Sequence, residues 1–158
     1  MNSDTFLDSW LAVLAKKGLQ LYPHQEEAVL SLLAGHHVIL NTPTGSGKSL
    51  VSEAHLRWAL ARGKRGVYVS PIKALVNEKF FELCDALGAQ SVGLLTGDAT
   101  VNAEAAILCC TAEVLSQLSI RGVFEPDAVV LDEFHFFSDR DRGIHWQLPL
   151  LTLPKAQF

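Results

Sequence analysis

The chain holds 158 residues, 49% of them apolar, at a net charge of −4. This length fits one domain that can bury a core without disulfide or metal staples, and the apolar excess suits a parallel sheet covered on both faces. The acidic balance argues against a protein that coats nucleic acid by bulk charge alone; no apolar run reaches the length of a membrane span, and Asp4 and Asp8 stand where a signal peptide needs an apolar core.

In chain order, residues 3–17 carry a capping residue, apolar positions at Phe6, Trp10, Leu11, Val13 and Leu14, and Gly18 as a stop, which predicts a helix. A second helix is predicted over 23–34, with Pro23 in its first turn and Gly35 beyond its end. Residues 1–21 therefore read as a helical extension ahead of a domain over 22–158. The period then changes. Short β-branched or apolar runs at 38–40, 67–69, 92–95, 107–110 and 128–131 read as strands, and 48–61, 73–87 and 112–119 read as helices between them. This alternation predicts an α/β fold of right-handed βαβ units, with an open, mostly parallel β-sheet and helices on both faces. Ligands of such sheets bind beyond the carboxyl ends of the strands, and each chemical motif falls at such an end. Cys84, Cys109 and Cys110 show neither paired nor metal-ligand spacing; the adjacent pair 109–110 lies in an apolar run, so buried free thiols in a reducing, cytoplasmic setting are expected.

The predicted strand at 38–40 runs into Asn41-Thr42-Pro43-Thr44-Gly45-Ser46-Gly47-Lys48-Ser49 and then into a helix, the context a phosphate-binding loop requires. Gly45 and Gly47 permit backbone angles that turn successive N–H groups, with those of Thr44 and Ser46, toward phosphate oxygens. The positive end of the following helix adds to that field. Lys48 is placed to reach the β- and γ-phosphates of a nucleotide and Ser49 to ligate Mg²⁺. Thr42 stands where the strict pattern has its first glycine. The plainer reading is a glycine-rich turn capping an ordinary helix. A second signal weighs against it: the apolar run 128–131 ends in Asp132-Glu133, a carboxylate to hold Mg²⁺ through water and a base to position the attacking water.

These residues spell a resemblance. Asp132-Glu133-Phe134-His135 resembles the DExH box of superfamily 2 helicases, and 42–49 resembles their motif I. Ser70-Pro71-Ile72-Lys73-Ala74-Leu75 is similar to motif Ia and Thr96-Gly97-Asp98 to motif Ib. Thr111-Ala112-Glu113-Val114-Leu115 matches the Thr-x-Glu-x-Leu element, and Tyr22-Pro23-His24-Gln25 matches the glutamine motif. Asn102, Asp139, Arg142 and Gly143 bring the stretch from Leu94 to Trp146 nearest to the superkiller-type RNA helicases. Membership implies a RecA-like P-loop NTPase domain, the ATP-binding first half of a helicase or translocase motor. On that reading 22–158 is incomplete at its carboxyl end and a second RecA-like domain lies outside this chain. The resemblance further implies that Gln25 reads adenine, that His135 couples the nucleotide to the strand, and that Ser70, Pro71, Lys73, Thr96, Gly97 and Thr111 touch the sugar–phosphate backbone of a single strand, RNA before DNA. Glu78 stands where related sequences often carry glutamine.

Other readings stay open: a P-loop switch such as a transporter ATPase or small kinase, or a nucleic-acid module in which ATP is structural. The sequence has neither a Leu-Ser-Gly-Gly signature loop nor an arginine-rich lid; strand-stimulated turnover would separate a motor from the binding module. Trp10, Trp58 and Trp146 read as core anchors, Phe134, Phe136 and Phe137 as packing beneath the box, and the alternating charges of 139–142 as a solvated turn. Lastly, RecA-like topology implies a strand beginning near Lys155 that lies between the strands at 38–40 and 128–131. Further chain or a neighbouring molecule is expected to fill that slot.

Overall fold

The computed structural model describes residues 2–42 and 47–158. Helix α1, Ser3–Lys16, starts where the Asn2 side chain accepts a hydrogen bond from the Thr5 N–H at 2.8 Å. Phe6, Trp10 and Leu14 recur every fourth residue and are all buried. Their partners are Ala28, Val29 and Leu32 of α2 (Pro23–Leu33) and Val51, Ala54 and Trp58 of α3 (Lys48–Ala61). The rings of Phe6 and Trp58 meet at 5.0 Å. The amino-terminal extension is thus packed into the domain rather than appended to it.

Among the described residues, five strands form one sheet: β1 Gly66–Ser70, β2 Val92–Leu95, β3 Thr100–Val101, β4 Ile107–Thr111 and β5 Ala128–Leu131, in the spatial order β3-β2-β4-β1-β5. Only the β2–β3 pair is antiparallel. Strand periodicity sorts the side chains onto two faces. Tyr68, Ile107 and Cys109 pack with Leu56 of α3 and with Val76 and Leu83 of α4 (Lys73–Leu87). Val67, Val69, Leu108 and Cys110 pack with Leu115 of α5 (Ala112–Ile120) and Trp146 of α6 (Ile144–Thr152). Helices therefore cover both faces of a mostly parallel sheet, as expected. Strand β3 and helix α6 were not foreseen: β3 is two residues long, and α6 carries Pro149 in its interior. Gly93 makes room for the fold-back, since a Cβ there would collide with the backbone oxygen of Asn102.

One predicted strand is absent. Residues 38–40 carry no ladder; Ile39 is 79% exposed, and the Val38 N–H donates to the Phe158 carbonyl at 2.9 Å. Gln157 and Phe158 lie alongside. They occupy the expected slot: Gln157 bridges Ala128 in parallel, donating to Asp127 O and accepting from Val129 N, both at 2.8 Å, while Phe158 faces Val38. The Gln157 side-chain amide reaches further, donating to Leu32 O at 2.7 Å and His36 O at 2.8 Å. Burial holds the His55 pKa down, and its ring Nε2 lies 3.1 Å from Gln157 O. Gln157→Ala removes both side-chain ties and should lower stability by about 1–2 kcal/mol. Urea unfolding followed by tryptophan fluorescence checks this, and an unchanged midpoint would refute it.

Candidate functional site

Of the residues that the motifs single out, Lys48 and Ser49 open α3, and Asp132 and Glu133 directly follow β5. Gln25, at the third position of α2, is not a solvated residue: it is 1% exposed. Its Oε1 accepts from the Tyr22 N–H at 2.8 Å, closing the helix start, and its Nε2 donates to Gly47 O at 2.9 Å. Gly47 has φ +76°, a conformation that favours glycine, and a Cβ on it would displace the Gln25 amide. Lys48 opens α3, and its ammonium donates to Thr42 O at 3.1 Å. Thr44, Gly45 and Ser46 lie outside the described residues. The Ser49 hydroxyl accepts from the Lys79 ammonium at 3.0 Å.

Across from this helix start, β5 delivers Asp132. Its N–H donates to Val69 O at 2.9 Å, which extends the β1–β5 ladder by one step. Both carboxylate oxygens are held: Oδ1 accepts from the Glu133 N–H at 2.9 Å, and Oδ2 accepts a short hydrogen bond from the Tyr68 hydroxyl. Burial, then the Asp132 charge, hold the Tyr68 phenol far above its usual pKa, so it remains a proton donor. Glu133 adopts φ 53° and ψ 46°, a left-handed conformation that costs a non-glycine residue roughly 1–2 kcal/mol. The turn exposes the Glu133 carboxylate and sets it 3.2 Å from the His135 ring, itself exposed. Trp146, fully buried, donates its indole N–H to Asp132 O at 3.3 Å, while Phe136 stacks on the Trp146 ring at 5.3 Å.

The residues assigned to a strand divide by exposure. Lys73 and Gly97 are exposed; Ser70, Pro71, Thr96 and Thr111 are buried. The Lys73 ammonium pairs with Asp98 at 3.0 Å and, with the Thr96 hydroxyl, holds that carboxyl below its usual range. Glu78 points outward from α4.

The reading of 139–142 as a solvated turn fails at Arg142. Asp139 Oδ1 accepts from the N–H groups of Asp141 and Arg142 at 2.9 and 2.8 Å, a side-chain-closed turn that aims Arg142 inward. The guanidinium donates from Nε and Nη2 to Glu113 Oε1, at 3.0 and 2.7 Å, and makes a short bond to Pro71 O. It lies over the rings of Phe136 and Trp146, at 5.4 and 5.9 Å. Alternating charge concealed this from the sequence; the Arg142-Gly143 pair, already set apart by resemblance, was the available signal. Among the described residues, no group of three or more His, Cys, Asp or Glu is arranged to hold a metal ion.

Burial, the largest single influence, raises the Glu113 pKa, but the hydrogen bond from Arg142, a backbone hydrogen bond and the charges of Arg142 and His145 together outweigh it and hold the carboxyl below its usual range. A depressed pKa in the folded state gives stability that is complete above the ordinary glutamate value and lost as pH falls through the folded value. Glu113→Gln should therefore flatten the acid limb of the stability curve below about pH 4.3. Thermal melts across that limb test this; an unaltered pH slope would show that the pair carries no linkage.

A model of the DEAD/DEAH box helicase family matches residues 22–157. The chain is similar to the DExH-box ATP-dependent RNA helicase DExH15, chloroplastic, of Arabidopsis thaliana, with 40% identity over 140 residues, covering 83% of this chain and 12% of that protein. It is similar to the antiviral helicase SKI2 of Saccharomyces cerevisiae, with 34% identity over 139 residues, covering 86% and 11%. Among solved structures, the crystal structure of a hypothetical ATP-dependent RNA helicase from Sulfolobus tokodaii aligns with a TM-score of 0.73 at 19% identity, over 91% of this chain and 46% of that one, a likeness of fold. The chain thus spans little more than a tenth of these two curated relatives.

Proposed function

The chain belongs to the DEAD/DEAH box helicase family, and from that premise we propose that it is the ATP-binding half of a motor that moves on single-stranded nucleic acid, RNA before DNA. The observation that carries this reading is the meeting of the two halves of a phosphate site. The Ser49 hydroxyl at the start of α3 and the Asp132 carboxylate at the end of β5 are bound by two side chains, Lys79 and Tyr68, that themselves lie in contact.

Each residue then has a role. Lys48, now on Thr42 O, swings to the β- and γ-phosphates, where the backbone N–H groups of 44–47 join it as donors. Gln25 turns its amide to adenine while keeping the loop end at Gly47 in reach. Ser49 and Asp132 offer oxygen donors, the set that suits a hard cation such as Mg²⁺; bound there, the ion would offset charge on the transferring phosphoryl group. Glu133, pushed out by its left-handed backbone, orients and deprotonates the attacking water. His135 beside it relays the state of the nucleotide toward the strand. Lys73 and Gly97 meet the phosphate backbone, with Ser70, Pro71, Thr96 and Thr111 shaping the loops beneath them. The strand preference rests on the Arabidopsis relative, which is named an RNA helicase. A second RecA-like domain, for which the far greater length of the relatives leaves room, supplies the arginine that completes catalysis. The three free thiols suit a reducing compartment such as the cytoplasm.

Titration calorimetry with Mg²⁺ and ATP tests the nucleotide assignment. Lys48→Ala removes a charge-assisted contact and should weaken binding by roughly 1.5–3 kcal/mol. Glu133→Gln should bind nucleotide with little change yet lose hydrolysis in a protein carrying both motor domains, assayed with and without single-stranded RNA or DNA. Equal affinity for Lys48→Ala would overturn the phosphate-binding role of Lys48, and undiminished turnover for Glu133→Gln would overturn that of Glu133 as the base.

A further inference from the structure

Lys79 lies outside every motif that identified the site, yet its ammonium reaches the hydroxyl that would ligate the metal. It projects from the second turn of α4, and its side chain is only 12% exposed, low for a lysine. The ammonium donates to Ser49 Oγ at 3.0 Å, forms a short ion pair with Glu82 one turn further along α4, and sits 5.6 Å from the centre of the Tyr68 ring. The Tyr68 hydroxyl in turn holds Asp132. We propose that Lys79 is the resident cation of the nucleotide site, which occupies the Ser49 hydroxyl until a divalent ion displaces it.

This inference rests on the nucleotide reading above and deepens it. An ammonium donating to Ser49 Oγ takes up a lone pair of the oxygen a divalent ion needs. With both bound, a single and a double positive charge would stand a few ångströms apart, and their repulsion disfavours that state. Displacement is cheap, because Lys79 gives up the Ser49 contact and keeps Glu82. Two consequences follow together. The site retains a positive charge that attracts phosphate before any metal arrives, and more metal is needed to saturate it than bare oxygen ligands would require.

The test is calorimetric titration of the intact chain with ADP, over a series of Mg²⁺ concentrations and in excess chelator. Lys79→Met keeps the length of the side chain and removes its charge. The half-saturating Mg²⁺ concentration should fall by roughly 2–5-fold, the range for a solvent-screened charge, and metal-free ADP affinity should fall by a similar factor. Lys79→Arg should keep the metal-free affinity. Glu82→Gln leaves Lys79 without its second anchor and should shift the Mg²⁺ requirement the other way, upward, which keeps the test intact if Lys79→Met fails to fold. If metal-free and metal-loaded affinities move together, or if neither charge variant shifts the Mg²⁺ requirement, Lys79 is a packing residue and the proposal is wrong. If the unaltered chain binds no ADP at all, the nucleotide reading falls and takes this proposal with it.

Discussion

Strand β1 is buried along its whole length, so each of its N–H and C=O groups must find a partner in the ladder on either side. Parallel pairing to β4 and β5 meets that demand and fixes the register, because a slip by one residue would turn Val67 and Val69 to the wrong face. From this register the site follows. Ser70 lies level with Thr111, and Asp132 bonds to Val69 O one step past the last pair. Three motifs far apart in sequence therefore end on one line, and Tyr68, pointing to the opposite face from Val67 and Val69, comes within reach of Asp132.

A second layer of order is made by side chains alone. Arg142 binds Glu113 at the start of α5 and Pro71 at the end of β1, while covering Phe136 and Trp146. Trp146 passes this constraint to the Asp132 backbone. The loop after β1, the start of α5 and the turn that carries the acidic box thus share one guanidinium. Its planar fork and apolar faces suit it to such a post better than the point charge of a lysine.

What the sequence disclosed, and what it withheld, divides along a physical line. Runs 67–69, 107–110 and 128–131 were legible as strands because β-branched and apolar residues fill both faces of a covered parallel sheet. Residues 38–40 carry the same composition and form no strand, since a ladder belongs to a pair of segments and composition does not show the pairing; Val38 makes a single backbone bond, to Phe158. The motifs at 42–49 and 132–135 stood out in the sequence because their chemistry fixes both residue type and spacing. Arg142 and Lys79 were not recognised by role: an arginine among alternating charges, or a lysine on a helix, reads as solvated until the fold shows what stands opposite. Gln25 was half legible. Its motif was visible, but its burial and its bond to Gly47 depend on a contact across 22 residues.

The ties made by Gln157 also bear on how the chain acquires its shape. Its amide bonds to Leu32 and His36 span 125 and 121 residues, and its backbone bridges the start of β5 at Ala128. During synthesis the helices α1 to α3 can collapse on one another early, because their contacts are near in sequence. The segment at 36–40 and the outer edge of β5 gain these partners only once residues 157 and 158 have left the ribosome. Until then an apolar parallel strand has a free edge, which is the kind of surface that invites mispairing or a chaperone. The segments around Leu32 and His36, which can settle first, are therefore tied by a residue made more than a hundred positions later.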